Sequence, residues 1–161
     1  MLRAFRYFNA AGYDIKGRIQ GLEKNPANLL PIVMETASER RDDMDVYGDD
    51  YNTPDGTRIR DYIYVSDLAT AHVKVLNALV KKKGNIIINL ATGTGYSVLE
   101  VIQIAKELTG KEINFSIVER RPGDPAELIA VSKLAKDMIG WECEYSDMMT
   151  ILQSMWGIYS R

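Results

Sequence analysis

Two arginines of the sequence have the chemistry and the surroundings to hold a phosphate-bearing ligand. Arg60 lies in a predicted strand just after a Gly-containing loop, and Arg121 lies in the Pro/Gly loop at residues 120–124. Planar guanidinium groups bind phosphate oxygens through paired hydrogen bonds, so two of them could neutralise most of the charge of a diphosphate. Alternatively, each arginine pairs with an adjacent carboxylate, such as Asp61 or Asp124. The residues alone slightly favour this ion pairing.

A glycine turn at residues 93–95 is a second candidate, because it stands between a predicted strand and a predicted helix. Dinucleotide-binding fingerprints have a third glycine three residues after the second, which lets the helix pack closely on the strand. That position holds Val98. We therefore predict a tight strand-to-helix turn here and no nicotinamide cofactor site.

His72 and Cys143 are the sole residues of their types. His72 falls on the apolar stripe of a predicted helix, and no Ser, Cys or Asp is arranged as its partner, so we predict a packing role. Cys143 lies beside Trp141 and is predicted to be a packed thiol. A single cysteine excludes an internal disulfide framework and a multi-cysteine zinc site, and we predict no metal site.

Strands and helices alternate along the chain. Hydrophobic patterning predicts strands at residues 4–9, 46–47, 59–65, 85–90, 113–118 and 128–131. Helices are predicted to start at cap residues Asn28, Ser66, Ser97, Ser132 and Ser146. The second of them should end near Lys82, and Ser97 with Glu100 forms a capping box. This alternation predicts an α/β fold with parallel strand pairing.

The composition excludes several classes of function. Hydrophobic residues make up 46% of the chain and charged residues 26%, with a formal net charge of −2. A balance so close to neutral lacks the basic stripe that nucleic-acid binding requires. No apolar run reaches the length of a membrane span, and charge interrupts the amino terminus too early for a signal peptide. We expect a cytoplasmic protein that binds neither nucleic acid nor membranes.

A long central run and four shorter blocks carry a family resemblance. The run covers residues 50–69, DYNTPDGTRIRDYIYVSDLA. The shorter blocks are RYFNAAG at 6–12, NLLP at 28–31, NLATGTGYS at 89–97 and RRPGDPA at 120–126. In this order and spacing they resemble UDP-glucose (UDP-galactose) 4-epimerases, which are extended short-chain dehydrogenase/reductases. The resemblance covers the whole chain but only about the carboxy-terminal half of the family's length.

The resemblance implies a role for each matching residue. Tyr7 and Phe8 match a pair that contacts the NAD cofactor. The residues that match UDP-sugar contacts are Asn9, Asn28, Leu29, Asp45, Val46, Tyr47, Arg60, Arg121 and Asp124. Among these, Arg60 and Arg121 match the clamp on the two phosphates, and Asp124 matches the carboxylate that accepts from the ribose hydroxyls. Asn9, Asn28 and Leu29 match contacts to the diphosphate side, where a helix amino terminus suits an anion.

The base and the sugar have separate matching positions. Asp45, Val46 and Tyr47 match the strand along the uracil ring, whose main-chain groups read its edge, and Tyr47 could stack on the base. Some family members carry a bulky Tyr that limits the sugar pocket, where this sequence has Leu128. A smaller side chain there could admit an N-acetylated sugar, so a UDP-N-acetylglucosamine 4-epimerase is an alternative.

The resemblance also implies residues that this sequence does not contain. The family's chemistry needs a glycine-rich turn for the NAD pyrophosphate and a Tyr followed four residues later by Lys. None of the nine tyrosines has Lys at that spacing. We therefore expect residues 1–161 to be the UDP-sugar-binding portion, with an incomplete parallel sheet and a small α/β substrate domain. The amino-terminal NAD-binding portion and the catalytic residues are then absent, and the chain is inactive alone.

An incomplete sheet has consequences for partners. A strand at 4–9 without its upstream neighbours leaves an edge that another chain could cover. We therefore expect self-association or pairing with a complementary amino-terminal half. A non-catalytic UDP-sugar-binding module or a degenerate remnant is an alternative. Half of a nucleotide-sugar dehydratase or decarboxylase is another, although the run at 50–69 argues against it.

Overall fold

The computed structural model describes residues 3–81 and 85–161. Its helices are α1 (Leu29–Ala37), α2 (Val65–Lys81), α3 (Val98–Thr109), α4 (Lys133–Ile139) and α5 (Met148–Tyr159). Its strands are β1 (Arg3–Arg6), β2 (Asn9–Ala11), β3 (Met44–Tyr47), β4 (Ile59–Tyr64), β5 (Ile86–Asn89), β6 (Gly95–Ser97), β7 (Phe115–Val118) and β8 (Glu127–Leu128). The predicted end of the second helix, near Lys82, lies outside the described residues.

Parallel pairs dominate the sheets. β1 pairs with β5, β2 with β4, β3 with β7 and β8 with β4, all in parallel, while β4 and β6 are antiparallel. The predicted α/β class with parallel pairing is therefore confirmed. The central strand is β4, because it is the one that β2, β6 and β8 all contact.

The strand predicted at residues 4–9 is in fact two strands in different sheets. Arg6 ends β1 opposite Asn89, whereas Asn9 begins β2 opposite Tyr62. Tyr7 and Phe8 connect the two sheets and are 43% and 47% exposed. The single-strand prediction was wrong because the change of partner depends on β4 and β5, which are distant in sequence.

Two buried clusters hold the layers together. In the larger cluster, the apolar faces of α1, α3 and α5 pack on one another, with residues such as Leu30, Val33, Met34, Val101, Ile102, Ile151 and Leu152. The smaller cluster joins α2 and α4 to β5, with residues such as Ile63, Leu68, Ile86, Ile88, Leu90 and Trp141. The helices α1, α3 and α5 each bury one apolar stripe, as their periodicity predicts.

The helix ends show which local predictions succeed. The capping box of α3 is present: Ser97 Oγ accepts from the Glu100 amide at 3.0 Å, and the Ser97 amide donates to Glu100 Oε2 at 2.7 Å. The last helix differs from expectation, because Asp147 caps it through the amide of Thr150. Ser146 is instead buried and donates to Asp67 Oδ2 at 2.6 Å.

No helix within the described residues is both long and apolar enough to cross a membrane.

Candidate functional site: an arginine-lined cavity

A cavity of about 430 Å³ lies between β4, the start of α1 and the loop at residues 121–124. Its lining residues are Asn9, Ala27, Asn28, Leu29, Arg58, Arg60, Tyr62, Arg121, Pro122, Gly123 and Asp124. Six of the predicted substrate residues are therefore brought to one place. They come from four separate segments of the chain. β4 pairs with β2, and its first residue, Ile59, donates to the Ala126 carbonyl beside the 121–124 loop.

β4 presents Arg60 to the cavity and turns its neighbour Asp61 away from it. Successive side chains of a strand point to opposite faces. Asp61 is 3% exposed and accepts from Thr92 Oγ1 at 2.8 Å and from the Gly93 amide at 3.2 Å. Its carboxylate is thus committed to the 92–93 turn, and it is not the ion-pair partner of Arg60.

Asp124 is the carboxylate that Arg60 contacts. Its Oδ1 accepts from Arg60, and its Oδ2 accepts from Arg58. Partial burial opposes the ionisation of Asp124, but the hydrogen bond and charge of Arg58, with those of Arg60, lower its pKa below the ordinary value. Of the two roles that the sequence left open for Arg60, ion pairing is the one present in this structure.

Sequence reasoning missed Arg58. It lines the cavity and lies two residues before Arg60, so the two side chains share a face of the extended chain. The Arg-Ile-Arg spacing was the available signal. It was not decisive, because Arg58 precedes β4 and its partner Asp124 comes from a loop 66 residues away.

Arg121 connects the cavity with the short strand β3. Its guanidinium carbon lies 3.8 Å from the centroid of the Tyr47 ring, which is within the range of a cation–π contact. Tyr47 ends β3, and its hydroxyl is 3.4 Å from Asp45 Oδ2. The side chain of Val46 is buried in the core. Among the described residues β3 pairs with β7 alone, so its second edge has no strand partner.

The amino terminus of α1 also faces the cavity. Asn28 is extended, with φ −92° and ψ 152°, and its side chain makes no capping hydrogen bond. The prediction that Asn28 caps the helix through its side chain was therefore wrong. Because Pro31 lacks an N–H, the first-turn amide donors near the cavity are those of Leu29 and Leu30. The positive end of the helix dipole thus lies beside the arginines.

Asn9 of β2 and Tyr62 of β4 pair in register, and both line the cavity. Asn9 Nδ2 donates to the main-chain oxygen of Asp61 at 2.8 Å, which ties β2 to β4 beyond their ladder. Burial raises the pKa of Tyr62 far above its ordinary value, despite the opposing charges of Arg58 and Arg60. Its hydroxyl therefore stays neutral at physiological pH.

Of the two predicted cofactor residues, Phe8 lines a cavity that Tyr7 does not line. This second cavity of about 210 Å³ shares four residues with the first: Asn9, Asn28, Leu29 and Tyr62. Tyr7 is exposed beside it. These two aromatic rings could lie against a planar cofactor group, but a pyrophosphate needs free main-chain donors as well.

The glycine turn at residues 93–95 does not supply those donors. The amides of Thr92 and Gly93 donate to Asp61, and Gly95 packs against the side chains of Ile59 and Ile129. The turn is a tight connection, but it leads from β5 into the short strand β6 and not directly into α3, so the predicted strand-to-helix turn was wrong in this respect. The described residues therefore fit the aromatic part of an NAD site only. No cluster of three or more potential metal ligands occurs among them.

His72 and Cys143 lie outside this cavity. His72 Nδ1 is 2.7 Å from the main-chain oxygen of Leu68, and its ring contacts Phe5 edge to face at 4.7 Å. Burial, followed by the charge of Asp67, raises the pKa of the Cys143 thiol. Neither residue has the surroundings of a nucleophile or base.

Comparison with known proteins places the chain in a family. Residues 2–91, more than half of the chain, match the NAD dependent epimerase/dehydratase family. The chain belongs to this family. The resemblance found in the sequence is thereby confirmed at the level of the family.

Individual relatives point to one branch of this epimerase/dehydratase family. A UDP-glucose 4-epimerase of Halalkalibacterium halodurans is 44% identical over 94% of the chain and 45% of its own length. A UDP-glucose 4-epimerase from Brucella ovis in complex with NAD has 43% identity and a TM-score of 0.93, over 98% of the chain and 49% of that protein. The chain spans about half the length of the relatives it matches.

One further relative was solved with two bound ligands. A UDP-glucose 4-epimerase from Stenotrophomonas maltophila, solved with NAD and formylated UDP-arabinopyranose, is 39% identical with a TM-score of 0.92. The match covers 98% of this chain and 47% of that protein. The expected half-length relation is therefore confirmed by sequence and by structure.

Proposed function

We propose that this chain is the UDP-sugar-binding part of a UDP-glucose 4-epimerase, an enzyme that interconverts UDP-glucose and UDP-galactose. The observation that carries the proposal is the cavity beside β4, where three guanidinium groups face one carboxylate. That excess of positive charge, with the open start of α1, suits a diphosphate. The relatives at 39–44% identity are UDP-glucose 4-epimerases, and one of them was solved with a UDP-sugar derivative.

Each part of the ligand has a proposed place. Arg60 and Arg121 bind the two phosphates, and the amides of Leu29 and Leu30 donate to the same oxygens. Asp124 accepts from the ribose hydroxyls. Asn9 Nδ2 lies near enough to the cavity to contact the diphosphate once it moves away from the Asp61 carbonyl.

The uracil ring is proposed to lie along β3. The amides of Met44 and Gly48 donate to β7, so the main-chain groups of Val46 also face β7. Asp45 and Tyr47 present their main-chain groups on the edge that has no strand partner among the described residues, which suits the donors and acceptors of a pyrimidine. Arg121 joins the two subsites, because its guanidinium lies on the Tyr47 ring and also borders the phosphate cavity. Arg121 thus covers one face of the Tyr47 ring.

This chain binds the UDP-sugar, and a second polypeptide segment supplies the groups for hydride and proton transfer. In the family NAD accepts and returns a hydride at the sugar, while a tyrosine activated by a lysine moves the proton. This sequence has no Tyr with Lys four residues later. We propose that the chain binds and orients the UDP-sugar, contributes Tyr7 and Phe8 to the cofactor side, and does not turn over alone.

A complementary segment is the proposed partner. Among the described residues β1 is hydrogen-bonded to β5 only, so one edge of this two-stranded sheet is open. An amino-terminal half with the remaining strands would cover that edge, and self-association is the alternative. We propose the cytoplasm as the compartment, since a single cysteine suits a reducing environment.

Calorimetric titration of the 161-residue chain with UDP tests the proposal. Parent protein should release heat at a one-to-one ratio, and Arg60→Ala should weaken binding by at least about tenfold. Arg41→Ala is the matched control, because Arg41 pairs with Glu35 on α1 and does not line the cavity. An absence of heat from the folded parent protein would contradict the proposal and favour a degenerate remnant.

Addition of an amino-terminal half then separates an enzyme part from a binding module. The half should contain the glycine-rich turn and the Tyr-x-x-x-Lys pair. Interconversion of UDP-glucose and UDP-galactose by the mixture, and by neither half alone, is the expected result. Binding of UDP without any activity in the mixture would favour a non-catalytic module.

A further inference from the structure

Arg58 lines the cavity and pairs with Asp124, but no contact with the ligand has been assigned to it. Its guanidinium contacts Asp124 Oδ2, while Arg60 contacts Oδ1. The three side chains are 18%, 11% and 19% exposed in the order Arg58, Arg60 and Asp124. One carboxylate is therefore shared between two partly buried cations.

This sharing creates a conflict if Arg60 is to bind a phosphate. The Arg60 guanidinium also donates to the Ile59 carbonyl at 2.7 Å, so its donors are divided between the main chain and Asp124. A phosphate competes with Asp124 for the same donors. A partly buried carboxylate that lost its cation would pay a desolvation penalty, which would oppose the movement of Arg60.

Arg58 is fixed where it can remove this conflict. The preceding residue, Thr57, is fully buried and donates through its amide and hydroxyl to Asp55 Oδ1, both at 2.8 Å. The following residue, Ile59, donates from its amide to the Ala126 carbonyl at 2.8 Å, which holds the loop with Asp124 against the start of β4. These hydrogen bonds hold the residues on both sides of Arg58 and keep the loop with Asp124 close to it. None of them involves Arg60.

We propose that Arg58 is a positioning residue that holds the Asp124 carboxylate in place, so that Arg60 is free to bind the diphosphate of the ligand. The inference rests on the proposed UDP-sugar site and adds a residue to it. Arg58 acts through Asp124 and does not itself contact the ligand. It keeps Asp124 ionised and oriented as an acceptor for the ribose when Arg60 turns to the phosphates.

The test is a set of UDP titrations by calorimetry on the 161-residue chain. Arg58→Met should weaken UDP binding by about tenfold, because Asp124 then retains Arg60. Arg58→Lys should recover most of the loss, since an ammonium group can still compensate the carboxylate. In an Asp124→Asn background, Arg58→Met should change the affinity by less than about twofold, because no charge remains to be held.

Other outcomes overturn the inference in distinguishable ways. If Arg58→Met weakens UDP binding equally in the parent protein and in the Asp124→Asn variant, Arg58 contacts the ligand directly. If Arg58→Met causes no loss in the parent protein, which retains Asp124, Arg58 has no role. Absence of UDP binding by the folded parent protein would defeat the UDP site itself. Circular dichroism checks each variant, and Arg58→Gln replaces Arg58→Met if the latter does not fold.

Discussion

The guanidinium of Arg121 lies 3.8 Å from the centre of the Tyr47 ring, and this contact links the end of β3 to the phosphate cavity. The two residues come from segments more than 70 positions apart, yet both border the proposed nucleotide site. The contact holds Arg121 at the border of the cavity. A side chain held in this way loses less conformational entropy on binding than a mobile arginine would.

Removal of the Tyr47 ring should therefore weaken nucleotide binding. We expect Tyr47→Ala to reduce UDP affinity by about fivefold, equivalent to about 1 kcal/mol, because an exposed cation–π contact is of this size. Tyr47→Phe is the control, since it keeps the ring and loses only the hydroxyl, which is 3.4 Å from Asp45. Calorimetry with UDP measures both. Equal losses in the two variants would show that the hydroxyl is the important group.

The neighbouring Arg120 should affect stability more than recognition. Its guanidinium contacts the side chain and main chain of Asp50 and lies 4.4 Å from the centre of the Tyr51 ring. Arg120→Gln should lower the thermal unfolding midpoint by a few degrees while UDP affinity falls less than threefold. Arg121→Gln is the matched variant: it should lower UDP affinity by more than about threefold and leave the thermal unfolding midpoint nearly unchanged. A larger effect of Arg120→Gln on affinity than on stability would contradict this division.

The acid side of the stability curve should depend on Asp124. Its pKa is lowered in the folded state, so it contributes stability above its unfolded pKa of about 3.9, and this is lost as the pH falls through the folded value. At pH 7 Asp124→Asn should cost about 1–3 kcal/mol of unfolding free energy. The difference from parent protein should shrink below about pH 4. Urea denaturation at several pH values measures it, and a difference that grows on acidification would contradict the sign.

Some contacts between residues close in sequence were predictable, whereas contacts between distant residues were not. The capping box of Ser97 and Glu100 was predictable because both partners lie within one helical turn. The pairing of Arg58 with Asp124 was not, because the loop with Asp124 is brought to β4 by main-chain contacts formed only in the folded chain. The same holds for the exchange of sheets between Arg6 and Asn9.

Asp61 shows how a motif can mislead when its partner is distant. The 93–95 turn has the glycines of a cofactor loop, but the amides of Thr92 and Gly93 are satisfied by this one buried carboxylate. Asp61→Ala should destabilise the fold by about 2–4 kcal/mol, since those donors would lose their acceptor. Asp61→Asn, which keeps one oxygen, should cost less. Chemical denaturation measures both, and a neutral Asp61→Ala would mean that water replaces the carboxylate.

The sugar preference of the proposed site should depend on Leu128. This residue pairs in register with Arg60 across the parallel β8 and β4 strands, so it lies next to the proposed phosphate clamp. The family resemblance implies that this position limits the sugar pocket, and we propose that a side chain smaller than Tyr admits an N-acetyl group there. We therefore expect parent protein to bind UDP-glucose and UDP-N-acetylglucosamine with affinities within about fivefold of each other.

Leu128→Tyr should separate the two ligands. The larger ring would occupy the volume of the N-acetyl group, so the affinity for UDP-N-acetylglucosamine should fall by at least about tenfold while that for UDP-glucose changes little. Leu128→Met is the control, because it nearly conserves volume and should leave both affinities unchanged. Competition against UDP in the calorimeter gives both values for each variant. If Leu128→Tyr weakens both ligands equally, the residue supports the strand pair next to Arg60 and does not select the sugar.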